Sequence, residues 1–136
     1  MNKNKEELIK FGNNELIEKG STDVITELFA TNYVVHAEGK NYKGHGFIKR
    51  WVKQLRSAIP DIRVLKEEFQ VQTDDTIVWQ RTLSGTHIEE VWGIRPTKQK
   101  VEWREMVISR FDDKKIIEEW VVSELLGELL SKPPRT

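Results

Sequence analysis

The chain has 136 residues, of which 38% are hydrophobic and 32% charged, and its 22 basic and 22 acidic side chains give a formal net charge of zero. This length predicts one domain over residues 1–136, with a core at 21–130 and a frayed tail at 131–136. The balanced charge argues against a nucleic-acid partner, and the lack of cysteine excludes disulfides and thiolate metal sites. The polar N-terminus and the lack of a long apolar run argue against secretion and membrane insertion, so we expect a cytoplasmic protein.

Three helices are predicted in the first half of the chain. The first covers residues 8–17 and has a weak point at 12–14, and the second is short and begins at 21–23. The third, at 44–58, is the clearest, and Pro60 ends it. Its apolar residues recur at helical spacing and predict one buried stripe, formed by Phe47, Ile48, Trp51, Val52 and Leu55.

The second half of the chain alternates with a period of two residues, which predicts long antiparallel strands. A short strand at 32–36 precedes them, and a terminal helix that Ser123 caps follows them. Helices followed by such strands indicate an α+β fold, in which a curved antiparallel sheet wraps around the three helices as a cone. Side chains fill the wide end of a cone poorly, so we expect a pocket there. The long strands are predicted at 62–71, 76–87, 98–111 and 115–122.

Four segments in this order resemble the SnoaL-like polyketide cyclases, or ester cyclases, of the nuclear-transport-factor-2-like superfamily. They are "ELFATNYVVH", "GHGFIKRWVKQLRSAIPDIRV", "RTLSGTH" with "WGIRPTKQKVEW", and "RFDDKKIIEEWVVSELLGELL", and the resemblance as a whole extends over roughly residues 21–130. The resemblance implies a cone-shaped, cystatin-like α+β barrel and a homodimer. It also implies that the crossing at 84–103 joins two central strands at the mouth of the cone.

The resemblance implies two catalytic residues. Glu124 follows Trp120 by four residues, where the family has an Asp that acts as acid and base. A carboxylate there would take a proton from a carbon flanked by carbonyls, and the resulting enolate would attack another carbonyl. Glu is one methylene longer than Asp, and the alternative role of Glu124 is to cap the terminal helix. His36 corresponds to a family pocket histidine, and its alternative role is a structural bond to a loop carbonyl.

Six further residues are ligand-binding candidates. The resemblance puts His87 and Trp92 near the mouth, while Trp103 and Trp51 are candidates for stacking on a ligand, although Trp51 also fits the core stripe. Arg81 and Glu105 lie on adjacent predicted strands and pair either inside the cone or on its convex face, which we favour. The three histidines lack metal-ligand spacing, so we predict no metal and no other cofactor.

Two functions are compatible with these features. The first is a cofactor-free acid–base enzyme, such as an aldol-type cyclase, isomerase or hydrolase, that acts on a small hydrophobic carbonyl compound. The second is a non-catalytic protein that binds a small molecule or serves as a dimeric accessory. The second predicts that Glu124 is exposed or caps a helix. Both predict a homodimer without nucleic-acid or membrane partners.

Overall fold

The computed structural model describes residues 3–132, so the part of the predicted tail at 133–136 lies outside the described residues. Three helices precede the long strands, as predicted, and a fourth follows them. The first helix changes into a π-helical turn, Asn13–Glu18, at the predicted weak point. The helices are α1 Lys5–Gly12, α2 Ile25–Leu28, α3 Gly44–Ala58 and α4 Leu125–Leu130.

Six strands form one curved sheet in the order β2-β1-β6-β5-β4-β3. One strand pair departs from the predicted antiparallel arrangement, because β1 and β6 run parallel. The sheet is also not closed into a barrel, since β2 and β3 are its two edges. The hairpin strand β2 was not predicted. The strands are β1 Phe29–Ala37, β2 Lys40–Lys43, β3 Arg63–Gln72, β4 Thr76–Thr86, β5 Lys100–Asp112 and β6 Lys115–Ser123.

Helix α3 has the predicted bounds and buries the predicted stripe against the sheet. Ile48, Val52 and Leu55 are at most 5% exposed, while Phe47 and Trp51 are partly buried against the same core. Burying one such aliphatic side chain stabilises a fold by about 1.5–3 kcal/mol. The stripe therefore holds α3 across the concave side of the sheet.

Strand β5 shows how the sheet divides into two faces. Its residues alternate between buried and exposed, so odd-numbered side chains point toward the helices and even-numbered ones point away. We call these the inner face and the outer face. Trp103, Glu105 and Val107 lie on the inner face, and Arg104 and Met106 on the outer face.

A β-bulge in β6 changes this alternation. Phe111 pairs with Ile116 and Arg110 pairs with Glu118, so Ile117 has no partner on β5. The extra residue moves the inner-face positions from even to odd numbers, and Glu119 becomes buried. Trp120 is 38% exposed on the outer face.

A second hydrophobic cluster closes the end of the molecule where α3 meets α4. Ile59 and Leu83 belong to it and have no exposed surface. Gly85 lies so close to this cluster that a Cβ atom there would be 2.1 Å from Ile59 Cγ2. Only glycine fits, which explains the glycine in the "SGTH" segment.

Candidate active site

A cavity of about 440 Å³ lies between the inner face of the sheet, helices α1 and α3, strand β1 and the start of α4. Its volume falls within the range of small-molecule sites. Most of its wall is aliphatic or aromatic. Glu38, Arg50, Gln54 and Trp92 line it and are exposed to solvent, so they mark its mouth.

A carboxyl group, Glu119, lies in the wall of this cavity and is 9% exposed. The Tyr33 hydroxyl donates a hydrogen bond of 2.8 Å to Oε1, and the Ser109 hydroxyl donates one of 2.5 Å to Oε2. Ser109 in turn accepts a bond of 2.9 Å from the indole N–H of Trp79. These donors fix the carboxyl group in one orientation.

Burial determines the protonation behaviour of this group. It raises the pKa of Glu119 above the usual value of 4.5, although the hydrogen bonds from Ser109 and Tyr33 and the charge of Arg81 oppose the shift. Burial and the neighbouring Glu119 also raise the pKa of Tyr33 well above 10.0, so Tyr33 keeps its proton and remains a donor. A carboxyl group with a raised pKa in a cleft is a candidate for proton transfer.

Glu119 was not among the site residues predicted from the sequence. The available signal was the pair Glu118-Glu119, since adjacent residues on a strand point to opposite faces and one of two adjacent acids must face inward. If strict alternation continued from Ile116, Glu118 would face the cavity. The bulge at Ile117 reverses this, and no pattern in the sequence marks it.

Arg81 and Glu105 form a second polar group in the cavity wall. Arg81 Nε donates a hydrogen bond of 2.8 Å to Glu105 Oε1, and Nη2 lies 2.7 Å from the same oxygen. The side chains are only 10% and 6% exposed. The favoured location of this pair on the convex face is therefore wrong, because both strands present odd-numbered residues to the inner face.

The π-helical turn brings Asn13 into contact with this pair. Asn13 Oδ1 accepts a bond of 2.8 Å from Arg81 Nη1, and Asn13 Nδ2 donates one of 2.6 Å to Glu67. Asn13 is 4% exposed, and a π turn is the kind of local irregularity often found at functional sites. The weak point in the first helix was predicted from the sequence, but this contact was not.

Trp51 and Trp103 have different positions relative to the cavity. Trp51 lines it, and its ring centre lies 5.9 Å from the Arg81 guanidinium carbon. Trp103 is 1% exposed within the second hydrophobic cluster and does not line the cavity. Its indole N–H donates a bond of 3.1 Å to Glu105 Oε2, so it supports Glu105 and is not placed to stack on a ligand.

The crossing between β4 and β5 holds Trp92 at the mouth and His87 in the interior. Trp92 and Gly93 have positive φ angles of 48° and 83° in a tight turn, an uncommon conformation for tryptophan. His87 is fully buried and does not line the cavity, so its predicted position at the rim is wrong. Its Nδ1 accepts a bond of 3.1 Å from the Thr97 backbone N–H, and burial lowers its pKa below 6.5.

Glu124 lies outside the cavity, contrary to the prediction. It is on the outer side with 46% of its side chain exposed, and it forms a two-bond ion pair with Arg104 at 3.0 and 3.1 Å. Hydrogen bonds from Arg104 lower the pKa of Glu124 below 4.5. It makes no capping bond with its side chain. The Ser123 hydroxyl accepts from the Leu125 backbone N–H instead, as predicted for a cap.

His36 also lies on the outer face, because Tyr33 and Val35 occupy the inner positions of β1. Its Nε2 is 2.7 Å from Glu118 Oε2, and its ring stacks on Trp120 with centroids 5.1 Å apart. The hydrogen bonds to Glu118 and Asn41 raise the pKa of His36 above 6.5. The predicted contact with a pocket ligand is therefore wrong.

Two wider observations apply to residues 3–132. Within this range, no group of three or more His, Asp or Glu side chains is arranged to hold a metal ion. None of the helices in the same range is both long and apolar enough to cross a membrane.

The sequence profile of the SnoaL-like polyketide cyclases matches residues 8–130. The chain belongs to this family. No curated protein sequence matches this SnoaL-like chain. The predicted family and its nuclear-transport-factor-2-like α+β fold are thus confirmed.

Solved structures with the same fold include several SnoaL-like proteins. A proposed SnoaL-like polyketide cyclase from Jannaschia sp. CCS1 superposes with a TM-score of 0.84 at 18% identity, over 100% of this chain and 99% of that one. IdmH, a proposed polyketide cyclase from Streptomyces antibioticus, gives 0.73 at 26% identity over 92% and 95% of the two chains. AclR, a proposed hydroxylase from Streptomyces galilaeus, gives 0.70 at 22% identity over the same fractions. Proteins of different proposed activity therefore share this fold.

Proposed function

We propose that this SnoaL-like protein is a cofactor-free acid–base enzyme that acts on a small hydrophobic carbonyl compound. The observation that carries the proposal is Glu119, a carboxyl group with a raised pKa in the wall of a largely apolar cavity. A carboxylate in such surroundings is a stronger base than one in water, and a positioned general base accelerates proton transfer by about 10²–10⁴-fold.

The proposed reaction begins with transfer of a proton from a carbon next to a carbonyl to the Glu119 carboxylate. The electron pair of the C–H bond moves into the carbonyl group and forms an enolate. In an aldol-type cyclisation the enolate carbon then bonds to a second carbonyl carbon of the same molecule, whose oxygen becomes an alkoxide. The proton held by Glu119 returns to that oxygen, so the product is an isomer of the substrate.

A simple ketone tests this role without knowledge of the natural substrate. The probe is 2-tetralone, an apolar bicyclic ketone with acidic C–H bonds beside its carbonyl. The rate at which these hydrogens exchange for deuterium in D₂O is measured by proton NMR. We expect Glu119→Gln to reduce the protein-catalysed rate by about 10²–10⁴-fold while the affinity for 2-tetralone changes little.

Two matched variants serve as controls. Glu118→Gln makes the same chemical change on the outer face and is expected to keep the wild-type exchange rate. Glu124→Gln tests the residue that the sequence favoured, and its exposure supports the same expectation. A Glu119→Gln variant that exchanges as fast as wild type contradicts the proposed role of Glu119.

The second candidate function is non-catalytic binding of a small hydrophobic molecule. The exposure of Glu124 favours it, since the family acid is then absent from the cavity. A wild-type protein that binds 2-tetralone but does not accelerate its exchange supports this alternative.

For either function we propose a homodimer that forms through the outer face of the sheet. Four exposed apolar side chains cluster there, between the Arg104–Glu124 and Arg110–Glu118 ion pairs, and a two-fold axis would bring two such surfaces together. Sedimentation at micromolar concentration should show a dimer for wild type and a monomer for Val122→Glu. A wild-type monomer contradicts the proposal. The four residues are Met106, Ile108, Trp120 and Val122.

A further inference from the structure

We propose that Arg81 binds the carbonyl oxygen of the substrate, and that the substrates are neutral, enolisable carbonyl compounds. This inference deepens the proposed function and depends on the same cavity. Arg81 lines that cavity and is 8% exposed, so a ligand that fills the cavity contacts it away from bulk water.

Arg81 has more hydrogen-bond donors than its protein partners use. A guanidinium group has five N–H donors and no acceptor. Among residues 3–132, Arg81 makes one hydrogen bond to Glu105, one to Asn13 and one further ion-pair contact to Glu105. At least two of its N–H groups therefore have no protein partner, although the side chain is buried. A ligand oxygen in the cavity would satisfy them, because a buried donor without a partner destabilises the structure.

The guanidinium is held rigidly in place. Glu105 Oε2 accepts hydrogen bonds from Trp103 at 3.1 Å and Ser123 at 2.7 Å, so the carboxylate that binds Arg81 is itself fixed. The guanidinium carbon lies 5.3 Å from the ring centre of Trp79 and 5.9 Å from that of Trp51. Donors fixed before the reaction stabilise a developing negative charge without reorganising, which is the basis of oxyanion stabilisation.

Trp79 connects Arg81 to the proposed base. The Arg81 guanidinium lies over its ring, and its indole N–H bonds to Ser109, which bonds to Glu119. Arg81 and Glu119 both line the cavity, so a carbonyl compound that presents its oxygen to Arg81 has Glu119 in the same cavity as the base for its adjacent carbon. The positive charge of Arg81 is also close enough to oppose the rise in the pKa of Glu119.

The charge balance of this site indicates the substrate class. Glu105 already neutralises Arg81, so a permanently charged carboxylate would add an unpaired charge beside Glu119. A neutral carbonyl adds none when it binds, and it becomes negative only as the enolate or alkoxide forms. The spare donors then bond more strongly to the charged oxygen than to the ground-state carbonyl.

The test compares two ligands that differ in one oxygen. Dissociation constants of 2-tetralone and of its hydrocarbon analogue tetralin are measured by quenching of tryptophan fluorescence. The ratio of the two constants is compared between wild type and the double variant Arg81→Gln/Glu105→Gln, so that the different partition of the ligands from water cancels. We expect the dissociation constant of 2-tetralone, divided by that of tetralin, to be tenfold or more higher in the double variant than in wild type. A hydrogen bond to a charged group corresponds to roughly a 10–150-fold change in affinity.

The matched control is Arg104→Gln/Glu124→Gln, which removes an Arg–Glu pair on the outer side and should leave the ratio unchanged. A second measurement uses wild-type protein, so it does not depend on the folding of a variant. The ¹³C resonance of carbonyl-labelled 2-tetralone should lie at least as far downfield when bound as in water. The inference is overturned if the bound ketone shows an upfield, alkane-like shift. It is also overturned if the ratio of dissociation constants in the Arg81 double variant stays within twofold of the wild-type ratio, or if wild-type protein binds neither ligand.

These results separate the inference from the proposed function. Loss of exchange in Glu119→Gln together with an unchanged ligand ratio in the Arg81 double variant rejects the role of Arg81 alone. An Arg81-dependent ratio without any catalysed exchange supports the oxygen-binding role and rejects the acid–base chemistry.

Discussion

The inner and outer faces of the sheet give opposite properties to adjacent residues of the same type. Glu118 and Glu119 follow each other on β6, yet hydrogen bonds from His36 and Arg110 lower the pKa of Glu118, while burial raises the pKa of Glu119. Glu118 takes part in a solvated ion-pair cluster, and Glu119 faces an apolar cavity. The face of the sheet, rather than the residue type, decides which glutamate is suited to proton transfer.

The two Arg–Glu pairs repeat this contrast. Arg81 and Glu105 are 10% and 6% exposed inside the cavity, whereas Arg104 and Glu124 are 60% and 46% exposed on the outer side. Both pairs have short contacts, at 2.7 and 3.0 Å. Contact distance alone therefore does not distinguish a structural surface pair from a component of a binding site.

The largest expected difference between the faces is the loss of folding stability when one partner of an Arg–Glu pair is removed. Glu105→Leu leaves Arg81 buried without its counter-ion and should lower the free energy of unfolding by about 3–5 kcal/mol, as measured by urea denaturation. Glu124→Leu should change it very little, because water solvates Arg104. The double variant Arg81→Met/Glu105→Leu should recover much of the loss. Equal effects of the two single variants contradict the contrast.

The pH dependence of stability should have opposite signs for the two glutamates. The folded state raises the pKa of Glu119, so its contribution to stability is complete below the unfolded value near 4.5 and is lost as pH rises through the folded pKa. Relative to Glu119→Gln, wild type should lose stability as the pH rises above about 4.5. Glu118 has a lowered pKa, so its contribution is present above 4.5 and is lost as the pH falls. Urea denaturation from pH 3 to 8 measures both, and equal signs reject this assignment of faces.

The smallest expected effect concerns the histidines. His36 on the outer face should titrate above 6.5, because Glu118 and Asn41 hydrogen-bond to its charged form, and His87 in the interior should titrate below 6.5 because it is buried. NMR titration of both rings measures the difference. Glu118→Gln should move the His36 midpoint toward the usual value and leave His87 unchanged. If His36 titrates below His87, the placement of the two rings is wrong.

The sequence was sufficient for the family and for most of the fold. The bounds of α3 follow from its apolar stripe and Pro60, and the division of β5 into two alternating sets of residues follows from its period of two, since both periodicities express burial. The parallel pairing of β1 with β6 could not be predicted this way. It joins residues 84–87 positions apart in the chain and leaves no periodic mark on either strand.

The candidate site was predicted less well, for a physical reason. Residues that line the cavity through regular alternation, such as Arg81 and Glu105, could be selected even though their face was judged incorrectly. Glu119 and Asn13 depend on local irregularities, a β-bulge and a π turn, that alternation and helical periodicity cannot reveal. Glu124 was chosen as the position of the family acid, four residues after Trp120, but both of these side chains lie on the outer side.

The unpaired Ile117 has a consequence for comparisons within the family. It shifts the phase of everything that follows it on β6, so a relative of equal length whose strand runs here without the bulge would turn position 118, and not 119, toward the cavity. Loss of the bulge alone would therefore exchange the reactive acid for its neighbour without any substitution at either glutamate, whereas deletion of Ile117 would leave Glu119 facing inward. Functional residues at this end of the strand are best transferred between homologues by tracing the backbone, because alignment columns do not preserve which way a side chain faces.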